Sequence, residues 1–186
     1  KAAHNSTHPC STCEEGRYQN LATATAYECK TCPAGREFKD KLSECTVCAD
    51  GKYQDRNDED TAVCKFCAAG KEFDEKGLPC SVCEDGKFQA DNDVSHAACA
   101  FCEAGTQFVD KAQNCQPCQP GKFQDSDNTL SAMCLFCSKG TEFKAENVKC
   151  DDCDAGMVQP IQGQASVSCS YCPMGKEFVA KDQACS

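Results

Sequence analysis

The residues able to do chemistry here are the cysteines. Twenty of them fall in ten CxxC pairs, which begin at Cys10, Cys29, Cys45, Cys64, Cys80, Cys99, Cys115, Cys134, Cys150 and Cys169, and Cys185 stands alone. Such pairs can hold zinc, exchange electrons or crosslink the backbone. A CxxC followed by about 15 residues and another CxxC has the four-thiolate zinc spacing. Yet the pairs are separated by 15 and 12 residues in strict alternation, so a zinc site using only the longer gap leaves half the pattern unexplained. The glycine that directly follows the second cysteine of a zinc knuckle is also missing. Redox catalysis needs one low-pKa thiol at a helix start in an α/β domain, and no strand-helix alternation surrounds these pairs. No CxxC is followed by His, which excludes covalent haem attachment, and His4, His8 and His96 occupy no repeated position.

Crosslinking explains both gaps if the second cysteine of each pair bonds forward to the first cysteine of the next. The expected bridges are Cys13–Cys29, Cys32–Cys45, Cys48–Cys64, Cys67–Cys80, Cys83–Cys99, Cys102–Cys115, Cys118–Cys134, Cys137–Cys150, Cys153–Cys169 and Cys172–Cys185. Each is worth nominally about 3 kcal/mol in the chain-entropy account. Cys10 is then unpaired or intermolecular. A crossed alternative joins Cys10 to Cys29 and Cys13 to Cys32 and leaves Cys185 over. In either scheme the spare thiol lies near a terminus, where it can link to another chain.

The elements that position these cysteines repeat with a period of 35 residues. The reading is an N-terminal segment, 1–9; repeat 1, 10–44; repeat 2, 45–79; repeat 3, 80–114; repeat 4, 115–149; a divergent repeat 5, 150–184; and the start of a sixth, 185–186. A fixed period of this length predicts a quasi-linear array in which each unit touches its neighbours. Glycine stands three places after the second cysteine of every pair, at Gly16, Gly35, Gly51, Gly70 and onward to Gly175. Its place calls for a backbone angle or a close approach that a side chain would obstruct.

Thirteen of the 14 aromatic residues fall in three columns: one runs from Tyr18 to Phe123, one from Phe38 to Phe178, and one from Phe66 to Tyr171. They are expected to cover the disulfides and pack on the next unit, with a ligand-binding aromatic ladder as the sharper alternative. Gln19, Gln54, Gln89, Gln124 and Gln159 form another column, suited to satisfying turn backbone. Segments such as "GKFQ" and "GKEF" are long enough for short strands, and the polar stretches after them lack a 3.6-residue period. The fold class is therefore small, disulfide-rich β: an elongated linear array with two short hairpins per repeat and little other regular structure. Repeat 5 has Val158 in place of the first aromatic and adds Pro160 and Gly163, so its loop is where the array would bend or meet a neighbour.

Composition agrees with this reading. The chain has 186 residues, no Trp and 40% hydrophobic residues, with a mean hydropathy of −0.56, which is thin material for one apolar core. Cysteine at this density belongs to an oxidising compartment, so the expected location is extracellular or the cell surface. A formal charge of −10 without any basic run argues against nucleic acid, and no apolar stretch reaches the length of a membrane span. The chain reads as a mature ectodomain or a piece of one.

The phrases "CPAGREF", "CADGKYQ", "CEDGKFQ" and "CPMGKEF" resemble the CxxGxY/F phrase of ephrin-receptor-type cysteine-rich repeats, relatives of growth-factor-receptor and tumour-necrosis-factor-receptor modules. "TAVCKFCAAG" and "ATAYECKTCPAG" are similar to periodic cysteine-rich surface antigens of ciliates and other protists. The likeness covers residues 10–186 and implies extended, disulfide-bonded extracellular rods, without choosing a ligand. The strict period departs from the receptor modules, whose repeats vary in length, and favours a structural array.

Asn5 heads the one N-glycosylation sequon, Asn5-Ser6-Thr7. The acidic runs "DRNDED", "DNDVS" and "DSDNT" complete no calcium-loop frame and read as solvated turns. No catalytic constellation breaks the period, so neither an enzyme nor a cofactor is expected. The leading functional reading is a surface coat, spacer or filament subunit that associates with itself end to end or laterally. The alternatives are a receptor or adhesin ectodomain for a protein or glycan, and a thiolate zinc-binding repeat.

Overall fold

The computed structural model describes residues 11–23 and 26–186. Its strands grow out of the glycines. Each CxxCxxG phrase closes in a reverse turn, in which the Lys52 N–H donates to the Ala49 carbonyl (3.1 Å), Lys87 to Glu84 (3.2 Å) and Lys122 to Gln119 (3.0 Å). The glycine at the third turn position has φ of +76° at Gly51, +78° at Gly86 and +81° at Gly121. A type II turn demands that angle there, and glycine adopts it without strain.

The turn delivers two residues into a strand, and the two residues between the cysteines of the next CxxC supply the antiparallel partner. In the first half of the repeats, β3 (Lys52–Tyr53) pairs with β4 (Lys65–Phe66), β7 (Lys87–Phe88) with β8 (Ala100–Phe101), β11 (Lys122–Phe123) with β12 (Leu135–Phe136) and β15 (Met157–Val158) with β16 (Ser170–Tyr171). In the second half, β1 (Arg36–Glu37) pairs with β2 (Thr46–Val47), β9 (Thr106–Gln107) with β10 (Gln116–Pro117) and β13 (Thr141–Glu142) with β14 (Asp151–Asp152). β5 (Lys71–Glu72) and β6 (Ser81–Val82) hold the same sequence positions in repeat 2. Repeat 1 opens with a single bridge between Tyr18 and Lys30. Among the described residues there are eight two-stranded sheets and no helix. The fold is thus small, disulfide-rich β with little regular structure. Repeat 5 keeps its hairpin in full, with Val158 buried where the other repeats have an aromatic ring.

The first strands lie where "GKFQ" and "GKEF" place them. The second strands lie inside the CxxC pairs, so each hairpin is stapled directly before its second strand and one turn ahead of its first. The bridges join Cys13 to Cys29, Cys32 to Cys45, Cys48 to Cys64, Cys67 to Cys80 and Cys83 to Cys99. They continue from Cys102 to Cys115, Cys118 to Cys134, Cys137 to Cys150, Cys153 to Cys169 and Cys172 to Cys185. The crossed scheme is not formed, since Cys13 bonds Cys29 rather than Cys32.

The chain divides into two compact units, one of Lys1–Cys67, Phe73–Ser81 and Asp93–His96, the other of Ala68–Glu72, Val82–Asn92 and Ala97–Ser186. Each has sulfur at its centre. In the first, Cys32, Cys45 and Ala62 are buried with Tyr18 and Phe38 packed against them. In the second, Cys137, Cys150 and Val167 are covered by Phe123 and Phe143. The rings lie on disulfides and on one small residue from the following repeat, which makes many small cores in place of one.

Replacing Cys118 and Cys134 together by Ser should remove about 3 kcal/mol of local stability. Hydrogen exchange should then show the β11–β12 amides losing roughly a hundredfold in protection. The β3–β4 amides should keep theirs, because stability in a repeat array is transmitted through nearest neighbours.

Candidate functional site

The feature that organises the chain is the junction between consecutive half-repeats. It is made chiefly of backbone. The Gly35 N–H donates to the Gln54 carbonyl, Gly70 to Gln89 and Gly105 to Gln124, each at 2.7 Å, and Gly140 to Gln159 at 2.8 Å. The carbonyls of Gly35, Gly70, Gly105 and Gly140 in turn accept from the N–H of Cys48, Cys83, Cys118 and Cys153 at 2.9, 2.9, 2.8 and 2.9 Å. The next aromatic column adds its own donors, Phe38 to the Ala62 carbonyl (2.8 Å), Phe108 to Ala132 (2.9 Å) and Phe143 to Val167 (2.9 Å). Ala62, Ala97, Ala132 and Val167 are all buried.

The first glycine of repeats 1 to 4 lies against backbone of the repeat that follows, whereas Gly156 in repeat 5 meets only the ring of Tyr171. A Cβ added to Gly51 would sit 2.1 Å from the Ser95 carbonyl oxygen, and one on Gly86 would sit 2.4 Å from that of Leu130. These positions therefore combine a left-handed φ with a close approach, and either alone disfavours a side chain.

Two sets of side chains finish the junction. Asn57, Asn92 and Asp127 each accept, through Oδ1, the backbone N–H of Ala34, Ala69 and Ala104 in the preceding repeat, at 3.0, 3.0 and 2.8 Å. Glu37, Glu72 and Glu142 accept the N–H of Cys64, Cys99 and Cys169 at 3.4, 3.2 and 3.2 Å. Neither set was singled out by sequence reasoning. The first belongs to the acidic runs that read as solvated turns, where its signal was the shared offset of Asn57, Asn92 and Asp127. The second was hidden inside "GKEF", and Gln107 interrupts its column.

The glutamine column serves turn backbone except at Gln89, whose side-chain amide has no partner. Oε1 of Gln54, Gln124 and Gln159 accepts the N–H two residues on, from Arg56 (2.6 Å), Ser126 (3.2 Å) and Ile161 (2.7 Å), and Gln124 Nε2 returns a bond to the Ser126 carbonyl at 2.6 Å. These amides and that of Gln89 are buried, and among them Gln54 Nε2, Gln159 Nε2 and both polar atoms of the Gln89 side chain have no hydrogen-bond partner, so of these only Gln124 uses its amide in full.

The inner aromatic column carries cations. Lys52 Nζ lies 4.8 Å from the Phe66 ring centre, Lys87 5.2 Å from Phe101 and Lys122 4.9 Å from Phe136. Each lysine is the cross-strand neighbour of its ring, so a face that a ligand could stack on already holds an ammonium group. Exposed ion pairs recur as well, Lys41 with Glu15 (3.4 Å), Lys76 with Asp50 (3.0 Å) and Lys111 with Asp85 (3.0 Å). Bonding to Lys76 holds the Asp50 carboxyl below its ordinary value. Exposed pairs of this kind are screened and contribute little.

Within the second unit, Lys87, Phe101, Glu103, Asp127, Asn128 and Asn147 line an open groove of about 820 Å3. Every described cysteine is bonded to another, which leaves no thiolate there for zinc. Among the described residues no group of acidic, His or Cys side chains is placed to hold a metal ion. His96 is exposed, with Nδ1 2.9 Å from Ser95 Oγ. Cys10, Asn5, His4 and His8 lie outside the described residues.

Two measurements probe the junction. Gly163 has φ +75° with nothing within 4 Å of an added Cβ, so Gly163→Ala should cost only the left-handed strain, about 1–2 kcal/mol. Gly86→Ala should cost roughly a further 1–3 kcal/mol for displacing the Leu130 backbone, and thermal unfolding of the two variants will separate the terms. The second concerns Glu142, whose carboxyl is held below its ordinary value by Lys144 first and then by the Cys169 N–H. A depressed folded-state value means that its contribution is present above the unfolded carboxyl value and lost as pH falls through the folded one. Protection of the Cys169 amide, corrected for intrinsic exchange, should fall across that acidic window, and Glu142→Gln should abolish the dependence.

Compared with known proteins, the chain matches no protein-family model and no curated protein.

Proposed function

We propose that this chain is an extracellular structural repeat protein, a coat component, spacer or filament subunit whose task is to present a regular, protease-resistant array. One observation carries the reading: the repeated chemistry is spent on holding one half-repeat to the next. The buried cystines, the glycines against neighbouring backbone and the Asn, Glu and Gln contacts all point inward along the chain. The described surface that remains is made of exposed loops, ion pairs and scattered apolar side chains such as Leu42, Val63 and Leu130. An oxidising compartment follows from the number of bridges, and among the described residues no helix is long and apolar enough to cross a membrane. The likeness to cysteine-rich receptor modules and protist surface antigens supports the same setting.

Self-association is part of the proposal, with Cys10 available for a covalent link and Asn5 for a glycan. The groove beside Phe101 favours a second reading, in which the array is a receptor or adhesin ectodomain that takes a polar ligand such as a glycan. In that reading the groove lined by repeats 3 and 4 acts as a site and the remaining repeats as its support.

Proteolysis without reduction, followed by mass analysis of the linked peptides, tests the leading proposal. The expected result is ten sequential bridges and a chain that resists proteases until a reductant is added. Recovery of free thiols with stoichiometric zinc would overturn it. Saturable glycan binding that is lost in Phe101→Ala would shift the assignment to the second reading.

A further inference from the structure

The hairpins β3–β4 and β7–β8 share one register and treat an aromatic face in opposite ways. In repeat 2 the cross-strand neighbour of Tyr53 is Lys65, whose Nζ lies 5.3 Å from the Tyr53 ring centre. A lysine of the chain itself thus occupies the electron-rich face, where the ring quadrupole attracts an ammonium group. In repeat 3 the cross-strand neighbour of Phe88 is Ala100. A methyl group cannot reach the place that the Lys65 ammonium takes, and among the described residues no lysine or arginine lies over the Phe88 ring.

The space left is a cavity of about 220 Å3, whose lining includes Phe88, Ala100, Phe101, Glu103, Thr106 and Asn114. It lies wholly within the second unit. Its charge is inverted relative to repeat 2, because Ala100 stands where Lys65 does, Thr106 where Lys71 does and Glu103 where Ala68 does. Two cations are lost and one anion is gained. Glu103 is peculiar to this repeat, since the same column otherwise holds Pro33, Ala68, Ser138 and Pro173. Its main-chain carbonyl accepts the Thr106 hydroxyl at 2.7 Å, which fixes the turn that carries it. Its carboxylate is exposed and takes part in no hydrogen bond or ion pair with any described residue.

The chemistry of these groups narrows the guest. An anion would meet Glu103 on a chain whose formal charge is −10. A wholly apolar guest would strip water from that carboxylate and return nothing. A primary ammonium on an alkyl stem suits both surfaces, with its charge toward Glu103 and the Phe88 face and its methylenes on Ala100 and Phe101. The cavity shares Ala100, Phe101 and Glu103 with the larger groove that Asp127, Asn128 and Asn147 also line, so a chain bearing the ammonium would leave over a polar surface able to bond its amides.

We propose that this cavity binds an alkylammonium group, the chemistry that Lys65 supplies internally in repeat 2. Two sources carry that group, the lysine side chain of a partner protein and a free aliphatic amine. Such a site is open to a coat component, a spacer or a receptor alike, and it needs no glycan in the adjacent groove.

NMR titration of the whole disulfide-bonded chain with n-butylammonium and with the blocked peptide acetyl-Gly-Lys-Gly-amide tests the site. Saturable binding of millimolar strength is expected, as one ring contact and one exposed ion pair imply. The shifts should centre on Phe88, Ala100 and Glu103, and the ligand protons next to nitrogen should move upfield under the ring. Butan-1-ol, equal in length and uncharged, should not bind. Ala100→Lys, at an exposed position, should abolish binding by placing the chain's own ammonium over Phe88, and Glu103→Gln should weaken it roughly fivefold. Tighter binding of the peptide than of the amine assigns the source to a protein lysine, and equal binding assigns it to a free amine. Lack of saturation by either ligand, butan-1-ol binding as well as the amine, or indifference to both substitutions would each overturn the site. Non-reducing mass analysis of each variant checks that the ten bridges are intact, so a loss of binding reports on the cavity and not on misfolding.

Discussion

Covalent bonds between half-repeats, each joining cysteines 16 or 13 residues apart, are the constraint on which the rest of this molecule depends. Strands of two residues cannot hold a register by themselves, and an isolated hairpin is marginal even when longer. Here each hairpin is stapled directly before its second strand and one turn ahead of its first, so the turn and the pairing are selected from an ensemble already restricted by sulfur. The phenylalanine and tyrosine rings then find one predictable surface to cover, a buried cystine, and a small residue from the next repeat completes the contact. The cystines act at once as crosslinks and as the apolar filling of each miniature core.

Once the sulfurs occupy the centre, little space is left for side chains between neighbouring repeats, and backbone meets backbone. That is why glycine recurs with such regularity. At Gly51 and Gly86 the neighbouring carbonyl lies so close that even a methyl group has no room. The same crowding explains the buried glutamines. A loop that turns away from a cystine leaves an N–H facing inward, and a side-chain amide two residues earlier is long enough to accept it without bringing in a charge. Asparagine and glutamate do the same for the preceding and following repeats at the rim, where water can still solvate a carboxylate.

The parts legible in the sequence were those carried by a residue type with one dominant physical use. Cysteine spacing gave both gaps a common explanation, and the glycine and aromatic columns marked turns and small cores. The contacts less visible in advance use residues whose type alone decides nothing. Asn57 and Asp58 look alike in an acidic run, yet Asn57 Oδ1 caps the Ala34 N–H at 3.0 Å while Asp58 Oδ1 accepts only from the Thr31 hydroxyl, at 3.4 Å. Glu72 and Glu75 are both glutamates near a phenylalanine, and only Glu72 reaches the Cys99 amide. The location of the second strand inside each CxxC was equally hidden, because two residues between cysteines carry no alternation to read. In each case the column across repeats held the information, and reading within a single repeat could not extract it.

The same comparison across columns bears on how specificity could arise in such a chain. Positions that face a neighbouring repeat are held to glycine, glutamine, phenylalanine and a small apolar residue, alanine or valine, by contacts of less than 4 Å. Loop positions such as those of Arg56, Asp91, Ser126 and Ile161 have no such restraint and differ in every repeat. A face common to all repeats therefore distinguishes no partner, and anything that sets one repeat apart must reside in these loops or at positions where a column is broken. Met174, Tyr27 and Leu21 are breaks of that kind.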